Sequence, residues 1–388
     1  MKIHVLLALT CVAAACKAAP EAAPDYGRPL PYGAPALLPL GPDETPPNVG
    51  GAFIDRDQVL PALERSLTWT RSRHAAQFFP IAGIDHARAL HSLERFRELL
   101  LTSRNASGFN AAVQREFQVF KSAGWDGQGG GVLFTGYCTP ILAGSRTPSA
   151  THRHPLYGLP GDLVKASDGT ILGRRTANGL EPYPTRRVIE ASNMLQGQGL
   201  ELVWLRDPID AFIAHVNGSA FVQLDEGGEL RLGYAGKNGR AYTSLGAELV
   251  RDRYLARNEL SLAAIRGWAS AHPNLVEEYL QRNDSFVFFA HIEGNPRGSL
   301  NVEVTPNHTL ATDKALFPRG AVTFVDTSLP LPNGGSMAFR QVMFDQDTGG
   351  AIRTAGRADI YLGIGPEAER RAGTTQAEGQ LYYFFVRP

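Results

Sequence analysis

The chain has 388 residues, 43% of them apolar and 20% charged, an ordinary balance for a folded protein and enough length for two cores. Lys plus Arg and Asp plus Glu each total 38, so net charge gives no pull toward nucleic acid or an anionic surface. With 41 glycines and 26 prolines among short aromatic and β-branched runs, the composition leans to a β-rich protein with many turns.

The chain opens MKIHVLLALTCVAAAC. Lys2, the largely apolar run from Ile3 to Ala14 and the small residues before Cys16 have the form of an export signal, too short to span a bilayer. Residues 1–15 resemble a bacterial lipoprotein signal, in which Cys16 is acylated and becomes the first mature residue. Plain secretory cleavage after Ala15 is the alternative, because Ala13 stands where Leu is commoner. Of three cysteines, Cys11 leaves with the signal and Cys16 carries lipid, which leaves Cys138 without a disulfide partner. Residues 16–48 follow as a Pro-rich tether, with nine prolines between Lys17 and Asn48. Fully extended at ~3.1 Å per residue, such a segment reaches on the order of 100 Å.

Helical spacing begins after the tether. Asp57 is the expected N-cap of a helix with Val59, Leu60, Leu63 and Leu67 on one face. HARALHSLERFRELL repeats the spacing through Leu90, Leu93, Phe96 and Leu100, and NAAVQREFQVFKSAG through Val113, Phe117 and Phe120 to about Gly124. From GVLFTGYCTPILAG the pattern turns to short strands and turns, to about residue 250. SLAAIRGWASAHPNLVEEYLQRND returns to helix, with Ser261 and Asn274 as caps, and SFVFFAHI opens a second strand-rich region that runs to Pro388. The order (helices, strands, helix, strands) fits a domain built from both ends of the chain with another inserted. Two sequential domains fit the composition equally.

DTGGAIRTAGRADIY, residues 347–361, places Asp347 and Asp359 in one Gly-rich stretch. An acid protease would need a second, equivalent loop to share a proton. Asp326-Thr327-Ser328 is a poor copy, so that reading fails. A polar turn at Asp347 and an exposed Asp359 is the bland alternative. In ADIY the period of two puts Asp359 and Tyr361 on one face, opposite Ala358 and Ile360, as the wall of a sugar-binding groove would require.

The ordered segments GYCTP (136–140), DPIDAFIAHVNGSA (207–220), YAGKNGRAYTSLG (234–246), SLAAIRGWASAHP (261–273), NDSFVFF (283–289) and DTGGAIRTAGRADIYLGIGPEAERRAG (347–373) resemble the membrane-bound lytic murein transglycosylase A family. The likeness runs from about residue 50 to the end. It implies a mainly β fold with flanking helices: a double-psi β-barrel catalytic domain of the three-aspartate type from 49–141 and 285–388, interrupted by a smaller glycan-binding β domain at 142–284. A long groove between them would hold a glycan strand.

By the same resemblance Asp359 is catalytic, Asp347 shares its site, and Asp313 supports the barrel. Tyr137, Thr139, Asn217, Ser219, Lys237, Asn238, Tyr242 and Tyr361 fall where substrate contacts are expected. The chain departs from the family in having Cys138 in place of an aromatic residue, and Asn217 and Ala220 in place of Gln and Gly.

The implied reaction cleaves the bond between N-acetylmuramic acid and N-acetylglucosamine in peptidoglycan. One Asp acts as acid and then base, the muramyl 6-hydroxyl attacks C1, and a 1,6-anhydro ring closes. Burial and repulsion from a charged Asp347 are expected to raise the pKa of Asp359 above the ~3.9 of a free Asp. No metal and no cofactor are expected, and no nucleic acid. The partners are glycan strands and, through the lipid, a membrane. Lys17 rather than Asp after the cysteine points to the periplasmic face of the outer membrane. The alternative is a non-catalytic cell-wall polysaccharide-binding protein.

Overall fold

The computed structural model of the chain describes residues 23–167, 169–331 and 334–388. Cys11, Cys16 and the expected signal lie outside them. Among the described residues no helix is long and apolar enough to cross a membrane.

The segment read as a tether is not free throughout. Strand β1 (Leu37–Pro39) pairs antiparallel with β2 (Phe117–Ser122), and Ala36 and Leu37 enter the barrel core. Further back, Tyr26 bonds Glu378 through its hydroxyl, and its carbonyl accepts from Thr354 Oγ1 at 2.6 Å. The apolar run Ala36-Leu37-Leu38 outweighs the prolines around it, and Pro39 sits at an edge, where a missing N–H is tolerated.

Five helices follow: α1 (Gly51–Ile54), α2 (Arg56–Thr70), α3 (Arg73–Ala76), α4 (His86–Thr102) and α5 (Ala106–Glu116). Val59, Leu63 and Leu67 of α2 and Leu93, Phe96 and Leu100 of α4 are buried as their spacing requires, while Leu60 and Leu90 are part-buried at the margin. Asp57 does not cap α2. The N-cap position is Asp55, and Asp57 lies in the first turn, where its charge suits the helix dipole. The third predicted helix stops at Glu116, and Phe117 and Phe120 belong to β2 instead. FQVF satisfies both helical and extended spacing, and pairing with the last strand of the chain decides for the latter.

After β3 (Val132–Thr139) the chain builds the middle unit. Its strands are β4 (Ile141–Ser145), β5 (His154–Tyr157), β6 (Leu163–Lys165), β7 (Ile171–Thr176), β8 (Gly179–Glu181), β9 (Glu201–Leu205), β10 (Ser219–Leu224), β11 (Glu229–Lys237) and β12 (Val287–His291). They form a six-stranded sheet in the order β12-β11-β10-β4-β9-β5 and a separate β6-β7-β8 ribbon. Helices α6 (Arg186–Ala191), α7 (Pro208–Asn217) and α8 (Leu245–Arg251) interrupt the region read as strands alone. Helix α7 is well marked: the Asp207 side chain accepts from Ile209 N at 2.8 Å, Pro208 opens the first turn, and Gly218 ends it at φ +70°. Helices α9 (Leu262–Ala271) and α10 (Pro273–Leu280) fill the next predicted helical stretch. Ser261 caps α9 as expected, whereas Asn274 does not cap α10, whose N-cap is His272.

The remaining strands are β13 (Thr309–Ala311), β14 (Val322–Pro330), β15 (Ser336–Asp347), β16 (Arg357–Ile364) and, after α11 (Gly365–Thr374), β17 (Gln376–Val386). They run β17-β14-β15-β13-β16-β3, and β3 pairs again with β17, so the six strands close on themselves. Inside lie Phe134, Leu310, Phe317, Val325, Met343, Ile360 and Leu381; outside, α2 lies on β15 and α4 on β17. This is a closed barrel drawn from both ends of the chain, with the six-stranded sheet entering and leaving through β4 and β12.

Candidate active site

The site grows from the pairing of β16 with β3. These strands run parallel with Asp359 opposite Thr135 and Tyr361 opposite Tyr137. Ala358, Ile360 and Leu362 point into the barrel core. Period two therefore turns Arg357, Asp359 and Tyr361 to the other face, beside Thr135, Tyr137 and Thr139.

On its other side β16 pairs with β13, where Ala311 faces Asp359. Ala311 in turn faces Asp347, because a bulge in β15 slips the register between Asp345 and Asp347. Asp347, Ala311, Asp359 and Thr135 thus form one row across four strands. The two aspartates stand two strand spacings apart, roughly 10 Å between backbones.

The carboxylates differ in their surroundings. Asp347 Oδ1 accepts from Ser299 N and Thr348 N, both at 2.8 Å, and Oδ2 accepts from Tyr137 OH at 2.8 Å. The Ser299 turn reaches it because Gly298 has no side chain: a Cβ there would lie 2.7 Å from the Gln346 carbonyl oxygen. Asp359 Oδ1 accepts from Thr135 Oγ1, and Arg357 Nη2 stands 3.8 Å from the same oxygen. Asp359 keeps 19% of its side chain exposed, enough to meet a ligand while protein encloses the rest.

Burial raises the pKa of Asp359, against the Arg357 charge and the Thr135 hydroxyl, which pull it down. The expected repulsion from Asp347 does not contribute. Asp347 lies two strands away, with its own charge held by three donors. Its pKa is also raised by burial, opposed by Tyr137 and the two backbone N–H groups. Burial and the neighbouring Asp347 carboxylate push the Tyr137 hydroxyl well up, so it remains a donor.

The expected substrate contacts divide into two groups. Tyr137, Lys237 and Tyr242 are part-exposed. Tyr242, from the middle unit, lies against the loop after Asp347, where a Cβ on Gly350 would meet its Cβ at 3.1 Å. Lys237 has its pKa lowered by burial and by Arg353 on that loop. These residues bring the middle unit up to the face that carries Asp359.

The second group is turned inward. Thr139 is fully buried, bonded to Tyr361 OH at 3.0 Å and Ser219 Oγ at 3.1 Å, and Tyr361 and Ser219 are buried with it. Asn217 accepts from Cys138 N and donates to Ile213 O, tying α7 to the barrel. Asn238 donates to Pro184 O and Asp284 O and accepts from Phe286 N. The polar atoms of these five are bonded to protein groups, and all but the part-exposed Asn217 are buried. Cys138, left open by the sequence, is buried, and burial pushes its thiol up to about 12.

Asp313 holds a turn, its Oδ1 accepting from Ala315 N at 3.0 Å. Sequence reasoning missed the neighbouring Lys314–Asp345 ion pair, fully enclosed and bonded further by Thr312 and by Tyr383 OH at 2.8 Å. It also missed Thr135 and Arg357, although counting by two from Tyr137 and Asp359 reaches both. Among the described residues no cluster of His, Cys, Asp and Glu has the form of a metal site. Asp359 lines neither of two cavities. One of about 220 Å³ separates α7 from α11, and one of about 660 Å³ lies between α11 and the β14–β15 turn.

Comparison with known proteins assigns this fold to a family. Residues 133–290 match the MltA specific insert domain and residues 308–385 the 3D domain. Membrane-bound lytic murein transglycosylase A of Vibrio cholerae is 33% identical over 294 residues, 74% of each chain. The Escherichia coli K12 protein of that name is 31% identical over 284 residues, 71% of this chain and 72% of the relative. The chain belongs to the membrane-bound lytic murein transglycosylase A family. The crystal structure of a membrane-bound lytic murein transglycosylase from Agrobacterium tumefaciens superposes with a TM-score of 0.74 at 25% identity, covering 91% of this chain and 98% of that one. E. coli MltA with bound chitohexaose gives a TM-score of 0.68 at 23% identity, covering 94% and 100%, a likeness of fold.

Proposed function

We propose that the protein is a peptidoglycan lytic transglycosylase in which Asp359 alone serves as acid and then base. Its relatives carry that activity in their names, and the closed six-stranded barrel with its parallel pairs β13–β15 and β16–β3 is consistent with the double-psi topology expected for the family. The catalytic domain would comprise 49–141 and 285–388, with 142–284 inserted, and the face between them would hold the glycan strand.

The observation that carries the mechanism is the difference between the two aspartates. Asp347 has both oxygens bound by three donors, so it is a fixed strut. Asp359 has one oxygen committed, and burial raises its pKa as it does that of Asp347, the direction an acid working near neutral pH needs. An ordinary glycosidase uses two carboxyl groups, whereas a lytic transglycosylase recruits a nucleophile from its substrate.

Protonated Asp359 gives its proton to the oxygen linking N-acetylmuramic acid to N-acetylglucosamine, and the bond from that oxygen to C1 breaks. As positive charge develops at C1, the carboxylate takes the proton of the same sugar's 6-hydroxyl. The 6-oxygen bonds C1 and closes the 1,6-anhydro ring without water. Holding the 6-hydroxyl over C1 supplies an intramolecular advantage over a passing water. The site needs to exclude water rather than activate it.

The test is digestion of purified sacculi by wild type and Asp359→Asn, with products weighed by mass spectrometry. Wild type should release muropeptides ending in 1,6-anhydro-N-acetylmuramic acid, lighter by one water than hydrolytic products, and the variant should release none. Reducing-end products, or an active variant, would refute the mechanism.

A further inference from the structure

The Thr135 hydroxyl has one proton and lies between a cation and the candidate acid. Arg357 Nη2 donates to Thr135 Oγ1 at 3.2 Å, and a guanidinium has donors only. The hydroxyl oxygen therefore receives from arginine, and its proton goes to Asp359 Oδ1. Arg357 adds its charge directly, 3.8 Å from that same oxygen. Its Nε is buried and has no hydrogen-bond partner among the described residues, so no other acceptor is seen drawing the guanidinium away by that atom.

We infer that Arg357 is a positioning residue for the reaction: acting through the Thr135 hydroxyl, it fixes Oδ1 of Asp359 as an acceptor, so the acid carries its proton on Oδ2. This rests on the reading of Asp359 as the acid. A carboxyl group with two equivalent oxygens could present its proton toward the strand or toward the sugar. With Oδ1 occupied by a donor, protonating that oxygen would break a charge-assisted hydrogen bond. Once the proton has left Oδ2, the charge is stabilised at Oδ1 by Thr135 and Arg357, and Oδ2 is free to collect the proton of the 6-hydroxyl. One oxygen is anchored and the other works.

The remaining groups around Asp359 do not duplicate this role. Tyr137 on β3 is committed to Asp347 of β15, and Tyr361 on β16 to Thr139. Ala311 on β13 carries no charge. From the middle unit, Tyr242 feels the Asp359 charge, while Lys237 lies near Arg353. Arg357 is the cation paired with Asp359, and it opposes the rise that burial causes.

The experiment measures sacculus digestion against pH for the purified full chain and for Arg357→Gln, Arg357→Lys, Thr135→Val, Thr135→Ser and Asp359→Asn, with circular dichroism confirming the fold. Removing the positive charge lets Asp359 hold its proton to higher pH. The alkaline limb of the Arg357→Gln profile should therefore move upward while the maximal rate falls several-fold. Arg357→Lys should return the limb toward wild type. Thr135→Val should lose on the order of tenfold in maximal rate and also raise the limb, as expected for a lost hydrogen bond to a charged group. Thr135→Ser should recover both.

A folded Arg357→Gln enzyme with its limb unmoved would overturn the inference. If that variant does not fold, an unmoved limb in Thr135→Val does the same. An active Asp359→Asn would overturn the underlying reading instead, so the two failures are separable.

Discussion

Asp347 and Asp359 stand on one row across the barrel with only Ala311 between them in the pairing, yet their charges are handled separately. Asp347 is held by Tyr137, Ser299 and Thr348, whereas Asp359 is held by Thr135 and Arg357. Both oxygens of the first are held by donors, and one oxygen of the second is. The shared row sets their spacing, and different hydrogen bonds set their roles.

That separation predicts the behaviour of Asp347→Asn. An amide oxygen there still accepts from Ser299 N and Thr348 N, while the charge is gone. Because the Asp347 charge does not lift Asp359, the alkaline limb of the pH profile should stay in place. Asp347→Ala should lower the rate on the order of tenfold or more, through loss of the donors' common acceptor. Rate measurements across pH decide, and a downward move of the limb in Asp347→Asn would restore repulsion as the cause.

Burial of the Asp359 carboxyl also has a signature in stability. Its folded pKa lies above the ~3.9 of an unfolded Asp, so the folded state holds the proton more tightly. The stability this contributes is complete below the unfolded value and is lost as pH rises through the folded one. Asp359→Asn has no such loss. Thermal melts between acid and neutral pH should show the variant gaining on wild type as pH rises. A constant difference across that range would contradict the shift.

The Lys314–Asp345 pair makes the opposite kind of demand. Both side chains are enclosed, and Asp345 is further bonded by Thr312 and Tyr383. Lys314→Met leaves a buried carboxylate without its counter-ion and should cost about 3–5 kcal/mol. Replacing both partners by apolar residues of similar volume should recover much of that loss. Denaturant titration of the single and double variants measures it.

Much of this arrangement was legible in the sequence because it rests on period and order. The alternation in ADIY turns Asp359 away from the core, and the order of helical and strand-like stretches fits a domain built from both chain ends, although it fits two sequential domains equally and the barrel is implied by the family resemblance alone. The bulge in β15 was not legible, since nothing in MFDQD marks Gln346 as the extra residue. FQVF satisfies two periods at once, and only the pairing with β17 makes it a strand. Asn217, Ser219 and Asn238 were expected as ligand contacts from the family resemblance, which carries position but not hydrogen-bond partners. Here Asn217 and Asn238 satisfy backbone groups and Ser219 bonds the Thr139 hydroxyl, where the middle unit meets the barrel or closes on itself. The start of α7 at Asp207-Pro208 and its stop at Gly218 were present in plain form and outweighed by the neighbouring strands.

We propose that lipid on Cys16 holds the mature protein at the periplasmic face of the outer membrane. A stable anchor of this kind requires more than one acyl chain. The body is attached from about Asp25 onward, since Tyr26 bonds both Glu378 and Thr354, and β1 joins the sheet. Only residues 17–24 then separate the lipid from the folded body, at most roughly 30 Å of extended chain. The Thr354 contact lies on the loop between Asp347 and Asp359, so the chain leaves the body beside that loop. Cys16→Ser should move the protein from the membrane to the soluble fraction while the purified variant still digests sacculi at wild-type rate. Lengthening the segment before Asp25 with a Gly/Ser spacer should leave the rate on isolated sacculi unchanged and alter how much of the wall is cut in cells. Wild type and Cys16→Ser recovered alike in the soluble fraction would show that Cys16 bears no lipid.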